Sequence, residues 1–223
     1  MHDIAIVGGG LGGSVLAATM AKHGADVVVV ERETEFRDRV RGESILPWGV
    51  AEIETLGLSE IFANAGSHEL PMWLVRPKTG EPRSSHVPTS LNVGTTPLRI
   101  SHPDMQEALL SHAADQGAKV MRGTRVTNIQ TGNLEYSTSG KLDDLSARIV
   151  VSTEGRNATA RNLFPSDRHK VDPEIRSISG LILDDVPAPM DANIISSDDD
   201  GHLVIMFPQG NGRVRSYLSF SSE

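Results

Sequence analysis

The sequence contains no cysteine. That excludes a disulfide framework, a thiolate metal site and a cysteine nucleophile, and it leaves the fold to stand by packing alone, as in a reducing compartment. Positive charge is scarce: 21 lysines and arginines face 29 acidic residues, for a net charge of −8. Such a surface has no attraction for nucleic acid or anionic lipid. No apolar run is long enough to span a bilayer, and the N-terminus has Asp3 in place of a basic leader. The expectation is a soluble, cytoplasmic chain with neither nucleic acid nor membrane as partner. With no secretory signal expected, the sequon Asn157-Ala158-Thr159 is read as accidental. There is no internal repeat and no biased segment beyond Asp198-Asp199-Asp200, read as a solvated turn. The eight histidines show no metal-ligand spacing, so no metal is expected. Ser14 sits in a glycine turn, with no nucleophile elbow around it.

What is present is concentrated at the start. Ile4-Ala5-Ile6-Val7 runs into Gly8-Gly9-Gly10-Leu11-Gly12-Gly13, a helix-patterned stretch ends at His23-Gly24, and Val27 to Val30 leads to Glu31-Arg32. This order is buried strand, glycine turn, helix, buried strand, acid. The spacing Gly8-x-Gly10-x-x-Gly13 puts glycine where the strand turns, where a diphosphate approaches the backbone, and where helix and strand pack closely. Glu31 follows at about the twenty-residue distance at which a carboxylate meets a ribose hydroxyl. The alternative is a tight turn that holds no ligand.

Helix one is expected from about Leu11 to His23, with Leu11, Val15 and Ala18 on its stripe and Gly24 as its stop. A charged loop through Arg39 and Arg41 leads to Gly42-Glu43-Ser44-Ile45-Leu46-Pro47 and a second helix with Val50, Ile53 and Leu56 on one face. Short apolar runs broken by proline and glycine between His68 and Leu98 read as hairpin strands of a separate layer. Ser101-His102-Pro103-Asp104 opens a helix ending near Gly117. Strands follow at 119–121, 125–130 and 134–137, with Gly132-Asn133 as a turn, and Ala147 to Ser152 reads as a buried strand. Further strands are expected at 178–183, 203–207 and 214–220. In the last, Val214, Ser216, Leu218 and Phe220 share one face while Arg215, Tyr217 and Ser219 share the other; one face is core, the other wet.

Three segments resemble the FAD-dependent monooxygenases of the aromatic-hydroxylase class, with the flavin halogenases as relatives. They are the glycine turn with Glu31-Arg32, the loop Arg39-Val40-Arg41-Gly42-Glu43, and the run from Val150 through Glu154-Gly155 to Arg161. The resemblance implies an α/β fold, a Rossmann-like FAD/NAD(P)-binding domain interleaved with a second, β-sheet substrate domain. The expected division is 1–67 with 101–172 for the FAD-binding domain, and 68–100 with 173–223 for the incomplete substrate sheet. By the same resemblance NAD(P)H reduces the flavin, oxygen forms a flavin hydroperoxide, and one oxygen atom passes to an electron-rich small molecule. Gly42 to Pro47 is similar to a halogenase loop, which keeps halogenation as an alternative. A non-catalytic nucleotide-binding fragment is the third reading, because the family's Gly-Asp segment is not found in these 223 residues.

The candidate cofactor-binding residues are Gly8, Gly10, Leu11, Gly12, Gly13, Glu31, Arg32, Arg41, His102, Val126, Glu154 and Gly155, with no catalytic base identified. For Arg32 and Arg41 the alternative is a solvated charge, for Gly155 a turn glycine, and for Val126 a plain core valine. Glu154 is one methylene longer than the family's aspartate, and His102 stands where the family commonly has arginine. Trp48, Trp73, Met72 and Met206 belong either to the core or to a substrate cavity. The terminal strand, with an apolar face and an uncovered edge, predicts self-association of the chain through the exposed sheet.

Overall fold

The computed structural model describes residues 1–39, 43–92, 94–130, 133–138, 141–155, 158, 176–187, 191–198, 200–210 and 212–221. In chain order the first elements are β1 (His2–Val7), α1 (Leu11–Lys22), β2 (Val27–Val30), β3 (Ser44–Ile45), α2 (Pro47–Thr55), α3 (Ser59–Asn64) and β4 (His68–Glu69). Next come β5 (Met72–Arg76), β6 (Arg83–His86), α4 (Val87–Ser90), β7 (Leu98–Arg99), α5 (His102–Asp115), β8 (Lys119–Met121) and β9 (Thr124–Gln130). The last are β10 (Asn133–Thr138), β11 (Lys141–Ser152), β12 (Arg176–Leu183), β13 (Ala192–Ser197), β14 (Leu203–Gly210) and β15 (Arg213–Ser221). Two compact units form, Met1–Arg37 with Pro103–His169, and Asp38–His102 with Lys170–Glu223.

In the first unit the strands run in the order β8-β2-β1-β11-β10-β9. β8, β2, β1 and the second half of β11 are parallel, while the first half of β11 pairs antiparallel with β10, and β10 with β9. The alternating side chains of β1 and β2 divide two cores. Ile4, Ile6, Val27 and Val29 pack with Ala17, Ala18, Leu110 and Ala113 of the helices. Ala5, Val7, Val28 and Val30 pack instead with Val126, Ile129, Leu145 and Ala147. A strand buried on both faces is apolar throughout, which explains why Val27 to Val30 lacks alternation.

Two expectations need correction. The buried stripe of α1 is Gly13, Ser14, Ala17 and Ala18, while Leu11 and Val15 are half-buried; small residues face the sheet because the helix starts too close to β1 for larger ones. The 147–152 stretch is not buried throughout, since Ala147 is 2% exposed but Ile149 is 57% exposed.

The second unit carries the sheet β12-β15-β14-β13-β5-β6 and a small sheet β3-β7-β4. Residues 38–67, read from the sequence with the first domain, group here with the second unit. β3 pairs with β7 and the Ile100 N–H donates to the Glu43 carbonyl at 3.0 Å, tying that stretch in. On β15 burial does not follow polarity, since Val214 on the apolar face is 0% exposed and the polar face is buried as well. Arg215, Tyr217 and Ser219 are buried, and Leu218 on the opposite face is 41% exposed. Among the described residues no helix is long and apolar enough to cross a membrane.

Candidate functional site

β1 stops at Val7 and the chain reverses at Gly8, where φ is +104° and the N–H donates to the Val30 carbonyl at 2.9 Å. A β-carbon at Gly8 would lie 2.8 Å from the Thr153 carbonyl oxygen, and one at Gly13 would enter the van der Waals sphere of the Gly8 carbonyl and lie 2.6 Å from Thr153 Oγ1. These two glycines are demanded by the packing of the chain on itself. Gly10 and Gly12 are different: a β-carbon at either meets nothing within 4 Å. Space is left open at the start of α1.

Three side chains fix the turn. Glu31, 6% exposed, accepts the Gly9 N–H at 2.6 Å through Oε2 and the Glu33 N–H at 2.8 Å through Oε1. Ser14, fully buried, donates to the Gly9 carbonyl at 2.9 Å. Thr153 Oγ1 lies 3.0 Å from the Val7 carbonyl and 2.7 Å from that of Gly8, sharing one hydroxyl proton between them. Ser14 and Thr153 were not among the sequence candidates, because a lone hydroxyl in a turn or at a strand end carries no periodic signal.

The first turn of α1 has no acidic residue, and its N-cap, Gly10, offers no side-chain hydrogen bond. The leading N–H groups of a helix have no intrahelical partners, and with the positive end of the dipole they favour an anion. The open flank at Gly10 and Gly12, the unshielded helix start and the carboxylate of Glu31 at the end of β2 therefore fit a dinucleotide diphosphate with its ribose. Glu31 keeps lone pairs for a hydroxyl beyond the two N–H groups it already accepts.

The remaining candidates scatter. Leu11 is half-buried at the helix start, and Glu154 Cα would be 3.2 Å from a β-carbon at Gly8, so Glu154 adjoins the turn; its carboxylate accepts the Ser152 hydroxyl at 2.9 Å. Gly155 is exposed with φ +75°. Arg32 is exposed and pairs with Glu33 at 3.1 Å. The Val126 side chain is 6% exposed and belongs to the core beneath β1 and β2. His102 opens α5 and falls in the second unit, apart from the unit of the glycine turn. Arg41 lies outside the described residues.

The second unit holds a buried polar cluster the sequence did not reveal. Arg215, 5% exposed, donates from Nε to Glu43 Oε1 at 3.1 Å and from Nη2 to Asp38, and the Tyr217 hydroxyl donates to the other oxygen of Glu43. Burial raises the pKa of Glu43, although the bonds from Tyr217 and Arg215 oppose the rise. Burial and the bond to Glu43 also push the Tyr217 phenol up. Trp48 is 63% exposed, and Met72, Trp73 and Met206 are half-buried, so none of the four is closed core. Ligand atoms of Asp198, Asp200 and His202 lie within 4.8 Å of one another in a surface loop, where Asp198 accepts the N–H groups of Asp200 and His202.

Residues 1–222 match the family described as FAD binding domain. The chain is 30% identical over 225 residues to a rifampicin monooxygenase of Rhodococcus hoagii, covering 96% of this chain and 45% of that protein. It is 25% identical to the flavin-dependent halogenase armH2 of Armillaria mellea, over 74% of this chain and 34% of the other. Among solved structures, PqsL of P. aeruginosa in complex with 2-aminobenzoylacetate aligns with a TM-score of 0.80 and 23% identity, covering 99% of this chain and 61% of that one. The chain thus spans under half the length of the curated relatives it matches. With the glycine turn, the open helix start and the carboxylate after β2 all in place, the chain belongs to the FAD binding domain family.

Proposed function

We propose that this chain is the flavin-holding part of an NAD(P)H-dependent monooxygenase that hydroxylates an aromatic or other electron-rich small molecule. The observation that carries the reading is the contrast within the glycine turn: Gly8 and Gly13 are filled by the chain's own atoms, whereas Gly10 and Gly12 face open space. The leading N–H groups of α1 hold the diphosphate of FAD, and Leu11, Gly12 and Gly13 supply them. Glu31 accepts a ribose hydroxyl while keeping the turn closed through Gly9. Glu154 and Gly155, adjoining the turn, face the cofactor, and the Val126 backbone meets the adenine. Arg32 adds positive charge beside Glu31, and the family resemblance makes Arg41 and His102 cofactor-binding residues as well. The flavin, when bound, accepts electrons from the nicotinamide and activates oxygen; the chain orients it and shields it from water. The first unit is the FAD-binding domain, and the sheet of the second faces the substrate. The protein works in the cytoplasm, and its copies associate through the exposed strand β12. Titration of the chain with FAD tests the reading: saturable binding that Gly10→Val abolishes supports it, and equal binding by both overturns it.

The halogenase relative, together with Gly42-Glu43-Ser44, favours halogenation as a second reading. Halide-dependent product from the reduced holoenzyme separates it from hydroxylation, and a chain that binds no FAD at all is the non-catalytic fragment.

A further inference from the structure

Asn193 on β13 is 1% exposed, and among the described residues neither its Nδ2 nor its Oδ1 has a hydrogen-bond partner. A whole carboxamide buried this way is costly and rare in folded proteins, where such groups are otherwise paired with chain, water or ligand. Its register partner on the neighbouring parallel strand is Trp73, whose Nε1 is also buried without a partner. β14 is the other neighbour of β13, with Ile194 opposite Met206, so by alternation Asn193 and Phe207 lie on the same face of the sheet, and Gln209 follows on β14 where its ladder to β15 is irregular. Gln209 Nε2 is unpartnered too, and its Oε1 accepts Arg99 Nη1 at 3.3 Å. Arg99 is 4% exposed with its Nε unpartnered.

These groups are not the mark of a fold that leaves polar atoms unpaired. Phe207 is the register partner of Arg215, and on that same face Arg215, Tyr217 and Glu43 bond one another. The chain pairs its buried charges there and leaves the groups at Asn193 open. Their balance is one-sided: Trp73 Nε1, Asn193 Nδ2, Arg99 Nε and Gln209 Nε2 donate, and Asn193 Oδ1 alone accepts. Arg99 adds a cation, whose pKa burial lowers. Trp73 and Gln209 are half-buried, so part of each side chain reaches the surface of this unit.

We propose that Asn193 and Trp73, with Arg99 and Gln209, form a recognition patch for a small aromatic compound that presents several acceptor oxygens and at least one N–H or O–H. This deepens the reading of the second unit as the substrate-facing one and rests on it. Asn193 and Trp73 are specificity residues in this arrangement, and the unpaired state of Asn193 in the free chain is stability given up for binding.

The test uses the 223-residue chain carrying nitrogen-15 tryptophan, whose two tryptophans give two indole N–H signals. The probe is salicylamide, which has a phenol and an amide on one ring, and cumene is the control without oxygen or nitrogen. Salicylamide should move the Trp73 signal saturably and leave that of exposed Trp48 in place, and cumene should move neither. Trp73→Phe assigns the signal and should weaken binding about five-fold, as expected for one neutral hydrogen bond. Asn193→Leu should weaken binding about ten-fold or more. The same variant should raise the melting temperature by about 2 °C or more, because an apolar isostere replaces an unpaired amide. A signal that does not move, undiminished binding by Asn193→Leu, or a lower melting temperature in that variant overturns the proposal; the last would mean the amide is bonded within the fold. FAD titration of the same samples keeps the two readings apart. FAD affinity should be the same in wild type and Asn193→Leu, and a wild type that binds salicylamide but no FAD refutes the flavin reading while upholding the patch.

Discussion

The Glu31 carboxylate accepts the Gly9 N–H at 2.6 Å, so the acid at the end of β2 closes the turn that follows β1. One side chain thereby serves the fold and the candidate cofactor site together. Glu31→Gln keeps the shape but sets an amide N–H against one of the two backbone N–H groups now accepted. A hydrogen bond to a charged group contributes about 1.5–3 kcal/mol, so both stability and FAD affinity should fall, the affinity about ten-fold or more. Chemical denaturation and FAD titration on the same protein check this. Unchanged stability would show that Glu31 does not hold the turn.

The glycines of the turn should separate by variant. Gly13→Ala puts a methyl into the Gly8 carbonyl and against Thr153 Oγ1, and backbone cannot yield, so the free chain should lose several kcal/mol, on the order of 3. Gly12→Ala, in open space within a helix, should stabilise by about 0.5–1 kcal/mol. Gly10→Val should cost the free chain little beyond a weaker N-cap, about 1 kcal/mol, yet abolish FAD binding. Melting curves with and without FAD distinguish the three, and equal losses at Gly10 and Gly13 would contradict the division.

Stability should fall with rising pH because of Glu43. Its pKa is raised in the folded chain, so the folded state holds the proton more tightly than the unfolded one. The stabilisation is complete below the ordinary value of 4.5 and is lost as pH climbs through the raised one. Asp3 and Asp198, both lowered, act in the opposite sense below 3.8. Glu43→Gln should flatten the decline above 4.5. A wild-type slope that persists in the variant would assign it to another group.

Much of the first unit was readable because its physics is local. A continuous Val27–Val30 run declares a strand covered on both sides, Gly24 takes the φ of +87° expected of a helix stop, and Gly8 and Gly13 lie where chain meets chain. The rest depends on partners far along the sequence. Glu43 lies 172 residues from Arg215, and nothing near either residue announces the other. β15 misleads for the same reason: its polar side chains are buried because Glu43 and Asp38 meet Arg215 there. The two-residue strands β3, β4 and β7 carry too few side chains to show a period, and β13 was missed because Asn193, Ser196 and Ser197 dilute its apolar pattern.

Among the described residues the edge at this end of the sheet is β12 and not, as expected from the sequence, the terminal strand, because β15 is paired on one side with β12 and on the other with β14. Ile178 is 64% exposed and Leu181 63%, and Leu218 on β15 adds 41%. Ile178 pairs with Ser219 and Leu181 with Ser216, positions of opposite parity, so apolar side chains project from both faces of this edge. An edge strand with apolar side chains on both faces is a template for another strand. The isolated chain should therefore self-associate in a concentration-dependent way, measurable by analytical ultracentrifugation. Ile178→Lys with Leu181→Lys should shift it toward monomer, because a charge on each face opposes a second copy. Both sites are mostly exposed, so each substitution should change folding stability by no more than about 0.5 kcal/mol. Undiminished association in a stably folded double variant would place the contact elsewhere on the chain and leave β12 as an edge that its own twist or neighbours protect.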